Sequence, residues 1–313
     1  MRNLIFTLFF TTCSVASFAV TDTSSVRKNA DSLRIEKKYK EAIQLYTDLL
    51  NIDSTRGDLY VKRGNTRTWL DLYQDAYNDM SKALALQPDN PEYYIERGRL
   101  LMNINIQDDA ISDFSTGLIF AKDPLLKIRL YSFRADARNY KMDYEGALSD
   151  AGIILAVDSI NVYALTGILN YLCELKRDSD ALVYGYRALR HYPDNPGIVN
   201  NMALIYSDMG EYSKAIVLYD RSISLDTTDP AYAYNNRGYA KYKLNNLDSA
   251  LADINKSLSL LPENSYALKN RALVYIAMNK IDLACKDLKD ADKMAFKSMY
   301  GDEVGTLMEK YCK

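Results

Sequence analysis

Five arginines each stand sixteen residues ahead of an aspartate: Arg63 with Asp79, Arg97 with Asp113, Arg134 with Asp150, Arg237 with Asp253, and Arg271 with Asp287. A guanidinium and a carboxylate at a fixed separation can form a bidentate, charge-assisted pair, which either holds structure together or recognises an acidic ligand. Catalytic chemistry finds far less to work with. His191 is the single histidine and lies beside Tyr192-Pro193, where it reads as a helix-end cation or surface group. No Ser/His/Asp grouping can be assembled without it. No Cys/His cluster has metal spacing, and no glycine-rich loop follows a strand. The chain is therefore expected to be non-catalytic, with no cofactor and no metal site.

The elements that place these pairs are repeats. Eight alanines, Ala42, Ala76, Ala110, Ala147, Ala181, Ala215, Ala250 and Ala284, fall 34, 34, 37, 34, 34, 35 and 34 residues apart, a period that belongs to repeat architectures. Each arginine lies thirteen residues before such an alanine and each aspartate three after it. In the other three units the same two positions hold Asn29 and Leu45, Ile168 and Tyr184, and Met202 and Leu218. Charge is thus present at both positions or at neither, as expected if a half-buried guanidinium needs its carboxylate. A small residue recurs twelve before the alanine (Ala30, Gly64, Gly98, Ala135, Ala203, Gly238 and Ala272), with Leu169 the exception. A bulky one follows four after it, as Tyr46, Met80, Phe114, Tyr219, Ile254 and Leu288, whereas Ala151 and Gly185 break the pattern. Small residues at two fixed points let two helix backbones approach closely, with the bulky side chain filling the space beyond.

Each unit reads as two amphipathic helices with a short polar break, seen at Lys37-Lys38, Met209-Gly210-Glu211 and Asn245-Asn246. Turn chemistry separates the units, as in Pro88-Asp89-Asn90-Pro91, Pro193-Asp194-Asn195-Pro196 and Pro262-Glu263-Asn264-Ser265, where proline and Asx residues end one helix and cap the next. The 37-residue interval falls at Lys122–Lys127, in a longer turn or an extended helix start, and a kink is expected there. This pattern resembles the tetratricopeptide repeat family over residues 23–296. The resemblance implies an all-α fold, a right-handed α-α superhelix of about eight tandem helix-turn-helix repeats. A single solenoid is expected over residues 20–296. Residues 297–313 should form a capping helix, because Val304, Leu307, Met308, Tyr311 and Cys312 make an apolar stripe at helical spacing after Gly301-Asp302.

The first nineteen residues stand apart. Arg2 provides a positive start, Leu4 to Phe10 an apolar run, and Ser17-Phe18-Ala19 a small-residue cleavage site, so residues 1–19 are expected to be a secretory signal. The sequence before Cys13 is not a lipobox. No stretch reaches the ~20 apolar residues of a membrane span. Removal of residues 1–19 would leave 38 basic against 41 acidic side chains, a net charge of about minus three. Such a balance, with both signs interspersed, argues against nucleic-acid binding. The expected setting is an exported one, periplasmic or secreted, or peripheral to the outer membrane. The sequence does not specify the oligomeric state.

In the resembled family the first helix of each unit lines a concave groove, its exposed positions lying about eighteen, fifteen, eleven and eight residues before the alanine. Carried over, these are Tyr163, Thr166, Asn170 and Cys173; Gly197, Asn200, Leu204 and Ser207; Tyr232, Asn235, Tyr239 and Tyr242; and Tyr266, Lys269, Leu273 and Ile276. The second to fourth units are more charged there, with Asp58, Glu92, Arg99, Arg129 and Asp136. The expected peptide-binding groove is therefore Tyr163, Asn170, Asn200, Tyr232, Asn235, Tyr239, Tyr242 and Tyr266, where rigid aromatics accompany amides able to read a backbone. Tyr232 and Asn236 stand where carboxylate-clamp members of the family carry basic groups, so that ligand is not implied. The expected role is a non-catalytic scaffold binding a protein or peptide partner in the cell envelope. The alternative is a carbohydrate or cell-wall-fragment binder using the same aromatics. Cys285 follows its alanine on the apolar side facing the capping helix, and Cys312 lies on that helix's stripe. A disulfide between them is expected after export, the alternative being two buried thiols.

Overall fold

The structure is a computed structural model, and it describes residues 23–226, 228, 230–294, 296 and 301–312. The signal expected at residues 1–19 lies outside the described residues, as do residues 297–300 of the expected cap. Among the described residues all regular structure is helical, in seventeen helices without a strand. The first helices of the eight repeats are α1 (Thr23–Ile35), α3 (Gly57–Thr68), α5 (Pro91–Asn103), α7 (Pro124–Tyr140), α9 (Val162–Glu174), α11 (Pro196–Asp208), α13 (Ala231–Lys243) and α15 (Ser265–Ala277). Their second helices are α2 (Tyr39–Ile52), α4 (Tyr73–Leu86), α6 (Gln107–Phe120), α8 (Tyr144–Val157), α10 (Asp178–His191), α12 (Tyr212–Leu225), α14 (Leu247–Leu260) and α16 (Ile281–Lys293), and α17 (Glu303–Tyr311) follows. No helix among the described residues is long and apolar enough to cross a membrane.

The chain divides into two compact units, residues 1–120 and 121–313. The division falls in the 37-residue interval. Its extra residues lengthen α7 to 17 residues against 12 to 14 for every other repeat helix. Asp123 caps α7 by accepting a hydrogen bond from the Leu126 amide, with Pro124 in its first turn. Asn90, Asn161, Asn195 and Asn264 cap α5, α9, α11 and α15 in the same way.

The break inside each repeat has one conformation eight times over. Lys37, Asp71, Asn105, Met142, Lys176, Gly210, Asn245 and Asn279, each five residues before its alanine, all have φ between 57° and 80°. The next amide donates back to a carbonyl of the preceding helix, for example Lys38 to Leu33, Asp143 to Arg138 and Lys280 to Tyr275 at 2.8 to 2.9 Å. This is the Schellman termination, which satisfies end carbonyls at the cost of a left-handed residue. Gly210 is the single glycine of the eight, and the breaks read from the sequence at Lys37-Lys38, Met209-Gly210-Glu211 and Asn245-Asn246 each contain one of these residues.

The eight alanines are fully buried. Opposite them the small residues do what their spacing suggests: a Cβ on Gly98 would stand 2.5 Å from the Phe114 ring, and one on Gly238 would stand 2.6 Å from Ile254. At Gly185 the vacant space is taken by Met202. All five arginine–aspartate couples form, each bidentate through Nε and Nη2. Arg63 meets Asp79 at 2.9 and 2.7 Å, and Arg271 meets Asp287 at 2.7 and 2.8 Å. The side chains are 13% and 5% exposed for Arg63 and Asp79, and 15% and 1% for Arg134 and Asp150. These carboxylates hold Arg97, Arg237 and Arg271 above the ordinary arginine range, against the opposing effect of burial. The guanidiniums also use Nη1 to reach the second helix of the preceding repeat, as Arg63 to Thr47, Arg97 to Ser81, Arg237 to Asp220 and Arg271 to Asn255. Each acceptor lies five residues after its own alanine. The arginines thus set the register between repeats as well as within them.

In the C-terminal unit Cys285 and Cys312 form a disulfide with Cα atoms 5.5 Å apart. It ties α17 to α16 over an apolar cluster of Leu268, Leu288, Phe296 and Val304.

Candidate binding face of the first helices

Three contacts between neighbouring first helices join residues 31 apart, although the repeat is about 34 residues long. Lys62 donates to Asp31, Asn65 to Glu96, and the Tyr163 hydroxyl reaches the carbonyl of Ser132. Each step along the stack therefore moves one helical turn toward the N-terminal end of the next first helix, and a line of facing residues runs diagonally across the repeats. In the C-terminal unit that diagonal brings together Asn139 on α7, Asn170 on α9 and Asn201 on α11. Their spacing is 31 and 31.

These three amides line a depression of about 590 Å³ with Asp136, Val162, Tyr163, Thr166, Gly167, Tyr171 and Asn195. Tyr163, at the start of α9, donates its hydroxyl to Asp136 on α7. Burial pushes the Asp136 carboxyl above the ordinary carboxylate range, with the Tyr163 hydrogen bond acting in the opposite direction. Burial likewise raises the Tyr163 and Tyr171 hydroxyls, Tyr171 to about 12, so both are neutral donors near neutral pH.

Of the residues the sequence singles out, Tyr163 and Asn170 lie in this depression. Asn200 is half-buried on α11, with its Oδ1 buried and lacking a hydrogen-bond partner among the described residues. Tyr232 is exposed on α13. Tyr239 and Tyr242 are half-buried, their rings 6.0 Å apart. Tyr266 stacks on Phe296 at 6.0 Å. Tyr239 and Tyr266 also flank Lys269, whose Nζ lies 4.2 Å from the Tyr266 ring centre and 3.2 Å from Glu303 of α17. That end of the face is engaged with the protein's own C-terminal helix.

Asn235 requires correction. It is 2% exposed, receives a hydrogen bond from Asn270 at 3.0 Å and donates to Asn236 at 3.1 Å. Its position, fifteen before the alanine, is also buried at Val61, Ile95 and Lys269, and it packs between repeats without facing a ligand. Cys173, carried over as a groove position, is 4% exposed for a similar reason. Asp136 and Asn139 stand eleven and eight residues before Ala147, on the family register, and Asp136 is among the charged positions read from the sequence; Asn201 and Tyr171, fourteen and ten before their alanines, lie off that register and are missed. The 31-residue spacing of the three asparagines was the available signal.

The N-terminal unit has its own depression, of about 600 Å³, lined by Arg34, Asn65, Glu96, Arg99 and Asn103 with the single tryptophan, Trp69. Trp69 is 67% exposed and stacks on Tyr39.

Residues 197–229 and 231–264 match a family model described as tetratricopeptide repeat, so the chain carries tetratricopeptide repeats. Sperm-associated antigen 1 of Mus musculus is 45% identical over 80 residues, 26% of this chain and 9% of that protein. The chain thus spans less than a tenth of the curated relatives it matches first. Among solved structures, a tetratricopeptide repeat protein from Parabacteroides merdae is similar with a TM-score of 0.66 at 16% identity, covering 80% of this chain and 98% of that one. The APC/C hetero-tetramer Cut9-Hcn1 is similar with a TM-score of 0.62 at 17% identity, covering 92% and 56%. The fold is that of the tetratricopeptide solenoids.

Proposed function

We propose that this protein is a non-catalytic interaction scaffold that holds an extended peptide segment of a protein partner against α7, α9 and α11. The observation that carries this reading is the line of Asn139, Asn170 and Asn201 beside Tyr163. Amide side chains both donate and accept, which suits the alternating N–H and C=O groups of an unpaired backbone, and a rigid phenol ring adds contact area at small entropic cost. The presence of tetratricopeptide repeats supports the same role. The leader-like residues 1–19 support work outside the cytoplasm, in the periplasm, as a secreted protein, or peripheral to the outer membrane.

Binding of a synthetic peptide array to the full chain, compared with an Asn170→Ala/Asn201→Ala variant of equal helicity, tests the reading. Loss of captured peptides in the variant is expected. Capture that survives the change, or binding to a glycan array with none to peptides, would overturn it, and the second result would favour the carbohydrate reading. For the location, cell fractionation with N-terminal sequencing should find a mature chain beginning at Val20, and an intact Met1 in the cytoplasm would refute export.

A further inference from the structure

The depression contains a carboxylate that the protein itself does not neutralise. Most other set-in aspartates are matched: Asp79, Asp113, Asp150, Asp253 and Asp287 each hold an arginine, Asp58 holds Arg56 and Arg27, and Asp31 holds Lys62. Asp136 receives only the Tyr163 hydroxyl, and among the described residues no lysine or arginine pairs with it. Its surroundings are otherwise uncharged, with Asn139 one turn along α7, Thr166, Asn170 and Tyr171 from α9, and Asn201 from α11. A half-buried charge without a counter-charge is costly, and proteins retain such groups chiefly where something else completes them.

The space to complete it is also present. At the position of Gly167 the other repeats from the second onward carry Lys62, Glu96, Phe133, Asn201, Asn236 and Asn270. A Cβ on Gly167 would already press on the Tyr171 hydroxyl at 3.1 Å, so any side chain there would intrude on the depression. The phenol rings of Tyr163 and Tyr171 border this opening, and aromatic rings favour cations.

Building on the peptide-binding reading above, we propose that the depression receives a basic side chain, lysine or arginine, of the bound segment, with Asp136 as its counter-ion. Asn139, Asn170 and Asn201 hold the flanking backbone.

The test uses acetylated, amidated heptapeptides identical except for a central lysine, arginine, norleucine or glutamate. Binding is followed on the full chain through the side-chain amide NMR signals of Asn139, Asn170 and Asn201. The basic peptides should bind on the order of tenfold more tightly than the norleucine peptide, as a charge-assisted contact adds, and the glutamate peptide more weakly still. Asp136→Asn should bring the lysine peptide to within about twofold of the norleucine peptide measured on the same variant. A salt titration of the unmodified protein reads the same contact independently of that variant's folding, because the basic preference alone should shrink as ionic strength rises. Equal binding of lysine and norleucine peptides overturns this inference and leaves peptide binding intact, as does a preference that survives Asp136→Asn or is insensitive to salt. If none of the peptides moves the three amide signals, both readings fall.

Discussion

At the scale of single residues, burial decides what each charge is worth. Asp113 faces Arg97 alone, at 7% and 21% side-chain exposure, and the third arm of Arg97 rests on the Ser81 hydroxyl. Removing only the carboxylate strands a half-buried guanidinium, so Asp113→Ala should lower the free energy of unfolding by about 3 kcal/mol. Arg97→Met combined with Asp113→Leu should recover at least half of that loss, since a well-packed apolar pair can replace a buried ion pair at little net cost. Equal urea midpoints for the single and double variants would refute this. Asp136 has the opposite sign. Its pKa is raised on folding, so the folded state holds the proton more tightly and stability falls as pH rises from the unfolded carboxylate value through the folded one. Asp136→Asn escapes that loss while keeping an acceptor for Tyr163. The variant should melt higher than the parent at pH 7, with the difference vanishing below about pH 3.5, where the unfolded carboxyl is itself protonated. A melting difference that stayed constant across that range would exclude titration of Asp136 as its cause.

At the scale of the element, the break within each repeat and the crossing of its two helices obey separate constraints. Met142 holds φ 61°, a conformation that costs an ordinary side chain roughly 1 kcal/mol. Met142→Gly should therefore stabilise the C-terminal unit by up to about 1 kcal/mol, and Gly210→Ala, at φ 80°, should destabilise it by a similar amount. Denaturation midpoints moving in the same direction for both would contradict the left-handed assignment. At the crossing, Gly98→Ala drives a methyl group into Phe114 and should cost about 1 to 3 kcal/mol. The crossing is legible in the sequence, because small and bulky residues recur at fixed distances from Ala110 and its equivalents. So are the five charge pairs, because Arg and Asp switch together. The left-handed positions are legible only in part: the breaks at Lys37, Gly210 and Asn245 are read from the sequence and glycine and asparagine favour the conformation, whereas Met142 and Lys176 carry no stop signal. The binding face is legible only in part. Tyr163, Asn170, Asp136 and Asn139 stand on the family register, whereas Asn201 depends on the one-turn offset between repeats, and Asn235 is drawn into the packing by Asn270 of the next repeat, 35 residues on.

At the scale of the whole molecule, each compact unit is a set of repeats whose stability depends on the junctions between neighbours. The C-terminal end is closed covalently. The Cys285–Cys312 link encloses a loop of 27 residues, for which chain entropy suggests roughly 3 kcal/mol of stabilisation. Cys285→Ser should lower the melting temperature and expose the α17 amides to hydrogen exchange first, while an unchanged exchange pattern would mean that packing around Phe296 and Val304 suffices without the bond. Junctions farther along differ in kind. Arg237 and Arg271 fasten the seventh and eighth repeats to their predecessors by directional hydrogen bonds. In the fifth and sixth repeats that position holds Ile168 and Met202, buried in the unit's largest apolar cluster. An apolar contact slides by a fraction of an ångström with little penalty, whereas a bidentate pair resists at once. If the C-terminal unit is regarded as a spring, its compliant coils are the fifth and sixth repeats, α9 to α12, which carry much of the depression, and its stiff coils are the repeats that hold an arginine–aspartate pair. A segment that is slightly too long or too short for the amide line is then accommodated by local shear of those coils, without disturbing the fastened end.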